Sequence, residues 1–276
     1  MLSSPIKKGE AYTPEETQRI VEQFHRDGYY FFGAVLDDDE VDALRSAMIR
    51  KLADPRIRED EQGDHIRGMS LMRMFEYDVA FRDLIVREPF AGIAEAILGG
   101  DCHMMSQNAL YNAPNPSQTA DGPGGWHVDD VLFWPLSDTV VRHDATLLPP
   151  CFVVNLLIPL TDVETVAFGP TQVVPGSHYS GRQPSTQDRP SFEGQSPVSL
   201  LTKAGGGYMF NNQTWHRGAP NVSDRTRYLG GVTYARRVIT QRLYPFIDYR
   251  MPAHVWEGAD ERLQRFLGRH SKGPYG

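Results

Sequence analysis

Trp126-His127-Val128-Asp129 sets an imidazole and a carboxylate two positions apart. In an extended chain, residues two apart point to the same face, so His127 and Asp129 can approach one cation together. A further imidazole, His216 in Asn-Gln-Thr-Trp-His-Arg-Gly, follows 89 residues later. Two histidines and one carboxylate on one face of an octahedron suit Fe(II) and leave three positions open. A fully ligated metal would be structural, whereas an open one can hold a cosubstrate and oxygen. The His-x-Asp pair alone is short, and a surface His–Asp hydrogen bond has the same spacing.

Eleven residues past His216 lies Arg227, at the start of the apolar run Tyr228 to Tyr234. An arginine entering a protein interior needs an anionic partner, because an unpaired buried charge is very costly. A dicarboxylate whose other end chelates iron would supply one through a bidentate fork. An internal Asp or Glu would also serve, and Arg225, two residues earlier and of the same strand parity, competes for the role.

These side chains need a frame. Thr13-Pro14-Glu15-Glu16 is a capping box with proline at the first helical position, and it opens a helix that Gly28 closes. Tyr29 to Val35 is β-prone. Asp37-Asp38-Asp39 begins a second helix, and further helices are predicted over Phe75 to Val86 and Phe90 to Leu98, with a polar loop from Asp54 to Gly68. After Gly100 the texture changes to short β-prone runs: His103 to Tyr111, Trp126 to Trp134, Phe152 to Leu160, Thr171 to Val174, Gly207 to Phe210 and Tyr228 to Ala235. Many short strands with no helix between them predict an antiparallel sandwich or barrel and argue against βαβ units. A helix over Asp260 to Leu267 follows. The whole reads as one domain over residues 1–276, with a helical buttress over 1–100 and a β core over 101–276.

Composition removes several classes of function. With 276 residues and 40% apolar content, the chain can bury a sizeable core. Lys+Arg 28 against Asp+Glu 35 leaves a net charge of −7, without the basic excess of a nucleic-acid binder. The absence of a long apolar run predicts no membrane span, and no targeting segment is evident, so a cytoplasmic location is expected. Two isolated cysteines, Cys102 and Cys151, build neither a disulfide framework nor a zinc knuckle.

At this point the sequence becomes recognisable. It resembles the phytanoyl-CoA dioxygenase family of Fe(II)/2-oxoglutarate-dependent oxygenases along nearly its whole length. The resemblance is carried by Asp27-Gly28-Tyr29-Tyr30, Leu36-Asp37-Asp38-Asp39-Glu40-Val41 and His127-Val128-Asp129. It continues in Gly169 to His178, ending Pro-Gly-Ser-His, and in His216 followed by Asn221, Ser223 and Arg227. It implies a mainly β fold with flanking helices, built on a double-stranded β-helix, or jelly-roll, core of cupin type. His127, Asp129 and His216 are then the iron ligands, and Arg227 binds the distal carboxylate of 2-oxoglutarate. Gln107 occupies the place of a glutamine that touches the cosubstrate in some members, and is equally an ordinary strand polar residue. His178 belongs to the Pro-Gly-Ser-His turn and is read as loop architecture.

The implied activity is oxidation, most simply hydroxylation, of a small metabolite or natural-product intermediate using O2, with release of succinate and CO2. Halogenases of the same fold replace the carboxylate ligand by a small residue, so Asp129 favours hydroxylation, desaturation, ring formation or epimerisation. After His-x-Asp the chain continues Asp130-Val131-Leu132-Phe133-Trp134-Pro135, without the longer signature of the ectoine-hydroxylase branch. No basic, glycine-rich cradle for a coenzyme A thioester is evident either. Substrate-pocket candidates are Tyr111, Phe133, Trp134, Trp215 and Arg217, each aromatic with a core-packing alternative. Residues Pro135 to Pro150 read as an insertion or lid. Two rival readings are a non-catalytic jelly-roll scaffold that keeps its metal, and a cupin-like metal isomerase; the latter has no use for a dicarboxylate anchor.

Overall fold

A computed structural model describes residues 4–58, 65–185, 189–244 and 246–271. In chain order the elements are α1 (Pro14–Asp27), β1 (Tyr29–Ala34), α2 (Asp38–Ala53), α3 (Pro55–Arg58), β2 (Ile66–Arg67), β3 (Ser70–Met72), α4 (Met74–Tyr77), α5 (Val79–Leu84) and α6 (Phe90–Leu98). Then come β4 (His103–Ser106), β5 (Asn108–Asn112), β6 (Val153–Pro159), β7 (Thr171–Val173), β8 (Val198–Ser199), β9 (Gly206–Asn211), β10 (His216–Gly218), β11 (Arg227–Ala235) and α7 (Glu261–Phe266).

The larger sheet runs β1-β9-β6-β11-β5-β3-β2, with β4 also pairing β11, and the smaller runs β10-β7-β8. Every ladder is antiparallel. The two sheets face each other in a jelly roll, and the first hundred residues add three strands to the larger one as well as helices. Strand alternation sorts its side chains. Val154, Ile158, Met209 and Tyr234 point outward into a core shared with Phe24, Leu44, Phe81 and Phe90 of the helices. Asn155, Leu157, Phe210 and Thr233 point inward, toward the smaller sheet. Among the described residues no helix is long and apolar enough to cross a membrane.

Local chemistry sets the helix ends. Thr13 and Glu16 close a complete capping box on α1, and Asp37 and Glu40 close another on α2. Glu40 is buried and also accepts from the Arg87 guanidinium at 2.8 and 3.0 Å, so one carboxylate caps α2 and ties it to the chain ahead of α6. Gly28 ends α1 at φ +80°, where a Cβ would lie 2.5 Å from the His178 ring and 2.6 Å from Thr214 Oγ1. The buried His178 bonds the His25 carbonyl through Nε2 at 2.9 Å, which locks the Pro-Gly-Ser-His turn to the last turn of α1.

Several predicted spans differ from those observed. The expected helix over Phe75 to Val86 is two, α4 and α5, because Asp78 is extended and caps the second through Ala80 N–H. The polar segment 54–68 contains α3 and β2, and its residues 59–64 lie outside the described residues. His103 to Tyr111 is split at Gln107 into β4 and β5. Trp126 to Trp134 is no strand: His127 alone makes a bridge, and Asp130, at φ +49°, turns the chain away. Residues 135–150 carry no helix or strand and are largely exposed.

A close helix–sheet approach rests on Gly207, where a Cβ would sit 2.6 Å from the ring of the buried Phe90. Gly207→Ala should therefore overpack this contact and cost about 1–3 kcal/mol in denaturant unfolding. Unchanged stability would mean that α6 is not held at this distance.

Candidate metal centre

His127 and His216 face each other through a two-way backbone bridge: each amide donates to the other's carbonyl at 3.0 Å. Asp129 is held one step further on, its amide donating to the Asn212 carbonyl at 2.9 Å. Ligand atoms of the three side chains all lie within 4.8 Å of one another, the one such His/Cys/Asp/Glu group among the described residues. Asp129 Oδ1 is 3.5 Å from His127 Nε2, and its Oδ2 is 3.4 Å from His216 Nε2.

The partners of each group fix what it can do. His127 Nδ1 bonds the Gly125 carbonyl and His216 Nδ1 the Thr214 carbonyl, both at 2.8 Å. A carbonyl only accepts, so each Nδ1 carries the proton and each Nε2 can present a lone pair to the centre. Asn155 Nδ2 donates to Asp129 Oδ2 at 2.8 Å, and Thr233 Oγ1 donates to Asn155 Oδ1 at 2.9 Å. The carboxylate is thus oriented by a relay rooted in β6 and β11. Burial raises the Asp129 pKa, but hydrogen bonds and charge from His127 and His216 outweigh it and hold the group well below the usual carboxylate range. Hydrogen bonding to Asp129 raises the His127 pKa against its own burial. The donor set fits a cation with imidazole and carboxylate preferences.

The three residues line a cavity of about 310 Å³ between the sheets. Arg227, first residue of β11, enters the same cavity and is buried. Its Nε and Nη1 are shielded from solvent and have no hydrogen-bond partner. Burial lowers its pKa, and the nearby Tyr208 phenol, which donates to Thr171 Oγ1 at 2.8 Å, partly offsets this. A buried guanidinium with two idle donors is an anion site. Arg225 is on the outside, exposed, stacked on Phe168 at 4.2 Å and bonded to the Asp162 carbonyl.

The remaining expected site residues are distributed differently. Arg217 lines the cavity, but its fork is committed to Gln172 Oε1 and to the carbonyls of Gly122 and Gly124. Gln107 is absent from the lining and donates to the Phe81 carbonyl on the helical side; its neighbours Ser106 and Asn108 face the cavity instead. Tyr111 likewise points away and bonds Gly68 O. Trp215 packs with Trp126, Val174 and Phe192 and donates to Arg182 O. Phe133 and Trp134 line a separate small recess, with Trp134 against Phe152. Four of the five substrate-pocket candidates therefore lie outside this cavity. Asn155 and Asn108, whose buried Oδ1 has no partner, were not anticipated. A lone polar residue in the apolar run Phe152 to Leu160 was the available signal for Asn155.

The profile of the phytanoyl-CoA dioxygenase (PhyH) family matches residues 24–229. The ectoine dioxygenase of Halomonas elongata is 28% identical over 262 residues, covering 84% of this chain and 74% of that protein. The epimerase SnoN, solved with Fe3+, alpha ketoglutarate and nogalamycin RO, superposes with a TM-score of 0.62 at 22% identity, over 90% of this chain and 93% of that one. The alpha ketoglutarate dependent carbocyclase SnoK from nogalamycin biosynthesis gives 0.60 at 23%, over 85% and 90%. At these identities the solved structures speak for the fold alone.

The electrostatic account can be checked without metal. Asp129→Asn removes the main cause of the raised His127 pKa, so a histidine NMR titration should show the His127 midpoint falling. An unmoved midpoint would mean that Asp129 does not set the protonation of this imidazole.

Proposed function

The chain belongs to the phytanoyl-CoA dioxygenase family, and from that premise we propose that it is a non-haem Fe(II)/2-oxoglutarate-dependent dioxygenase acting on a small molecule. The observation that carries the reading is Arg227: a buried guanidinium with two unpartnered nitrogens, in the cavity that also holds the His–Asp–His group. An internal Asp or Glu would have satisfied it, and no described acidic group pairs with it. A dicarboxylate chelated at one end and gripped at the other restores the missing hydrogen bonds.

In this reading His127 and His216 offer Nε2 and Asp129 a carboxylate oxygen to ferrous iron, while Arg227 holds the distal carboxylate of 2-oxoglutarate. Bound together with dioxygen, iron and 2-oxoglutarate supply an oxidant for a substrate C–H bond, with succinate and CO2 as co-products. The chain's part is geometric and electrostatic. Asn155 keeps the carboxylate of Asp129 turned inward, the Gly125 and Thr214 carbonyls keep both imidazoles in the ligating tautomer, and Leu157, Phe210 and Leu229 keep the interior apolar.

Asp129 fills the position a halide would need, which favours hydroxylation, desaturation, ring formation or epimerisation over halogenation, and hydroxylation of a small metabolite or natural-product intermediate is the simplest of these. The relatives' range, from ectoine to nogalamycin chemistry, supports that substrate class without choosing within it. The unpartnered Arg227 speaks against a cupin-like isomerase.

Calorimetric titration of 2-oxoglutarate into the Mn(II)-loaded protein tests the assignment. Arg227→Ala should weaken binding at least about 30-fold, the worth of about 2 kcal/mol for a lost charge-assisted pair. Arg225→Ala should leave it unchanged. Equal affinities for Arg227→Ala and the parent would remove Arg227 from the site.

A further inference from the structure

His127 and His216 are held in unlike ways. His216 belongs to β10, is buried and carries its neighbours in a ladder. His127 sits at the edge, with 46% of its side chain exposed, outside any strand, at the end of a segment containing Gly124 at φ +94° and Gly125 at φ +76°. Two consecutive glycines in left-handed conformations confer no stiffness of their own. Yet the Gly125 carbonyl is the group that fixes the His127 tautomer.

We propose that Arg217 is the positioning residue for His127, acting through the backbone of residues 122–125, an inference that rests on the metal reading above. Arg217 follows His216 on β10 and is buried to 2% exposure. Its Nη1 donates to the carbonyls of Gly122 at 2.5 Å and Gly124 at 2.8 Å. Its Nε donates to Gln172 Oε1 on β7 at 2.7 Å, Nη2 lies 3.5 Å from Asp121, and the guanidinium stacks 4.9 Å over the Trp126 ring. One planar fork thus joins the strand that bears one imidazole to the loop that bears the other. Every nitrogen has a partner in this scaffold, so Arg217 positions a ligand and is not a substrate contact. Lysine, a point charge on a flexible stem, cannot reproduce the fork.

Co(II) titration followed by visible absorption separates positioning from general destabilisation, with His127→Ala as the reference. Arg217→Met should bind Co(II) about 10–100-fold more weakly, the usual loss when a ligand's support is removed. Its spectrum should shift toward that of His127→Ala, which mere loss of stability would not produce. Arg217→Lys should recover little, whereas methylguanidinium added to Arg217→Ala should restore affinity and spectrum and methylammonium should not. Where the arginine variants do not fold, Gln172→Leu frees Nε and should shift the spectrum in the same direction by a smaller amount. A folded Arg217→Met, or in its place Gln172→Leu, with the parent's affinity and spectrum overturns the proposal. A parent protein that binds no Co(II) removes the metal reading itself.

Discussion

Two reciprocal amide–carbonyl hydrogen bonds between His127 and His216, each 3.0 Å, close a chain segment of 89 residues at a single point. Loop-closure entropy opposes such a contact, and one bridge is far too weak to offset it. The bridge exists because both partners are delivered to it. His216 arrives on the smaller sheet, and His127 arrives on a loop pinned to that same sheet by Arg217. Asp129 then falls into reach from two residues on, and Asn155 meets it from the larger sheet. The candidate centre is therefore the place where two sheets and one loop converge.

The side chains that hold and orient the candidate ligands have their outer polar atoms satisfied, which gives meaning to the atoms in the cavity that are not. Both imidazoles have their outer nitrogens bonded, Asn155 is bonded on both sides, and Arg217 uses its whole fork. Against that background the idle Nε and Nη1 of Arg227 and the idle Oδ1 of Asn108 stand in one cavity. A native interior rarely leaves a buried guanidinium short of acceptors. In the proposed reading its partner comes from outside, as the distal carboxylate of 2-oxoglutarate.

How far the chain could be read beforehand depended on whether the signal was local. The capping box at Thr13, the helix start at Asp37, the stop at Gly28 and the β-prone runs of β6 and β11 are local, and they appear where the sequence places them. The His-x-Asp spacing is also local, whereas His216, 89 residues on, and Arg227 were joined to it by the family resemblance, and the structure brings all four into one cavity. Facing is harder. The register shift opposite Thr233 and Tyr234 falls at Met105, and from there Ser106, Asn108 and Leu110 alternate inward, which leaves Gln107 outward. A one-residue slip in a strand exchanges its two faces, and nothing at Gln107 announces it. Of the aromatic candidates, Trp215 packs with Trp126 and Phe192 in an apolar cluster of its own beside the cavity, with Phe133 against it. Asn155 became visible as an orienting group only once the β6–β11 register set it beside Thr233.

The central claim is that one iron and one 2-oxoglutarate occupy this cavity together, and anaerobic Fe(II) titration in the presence of 2-oxoglutarate tests it most directly. The account predicts a weak visible metal-to-ligand charge-transfer band that saturates at one iron per chain and requires both components. Iron that binds without producing the band, or a band that persists in Arg227→Ala at unchanged 2-oxoglutarate affinity, would contradict it.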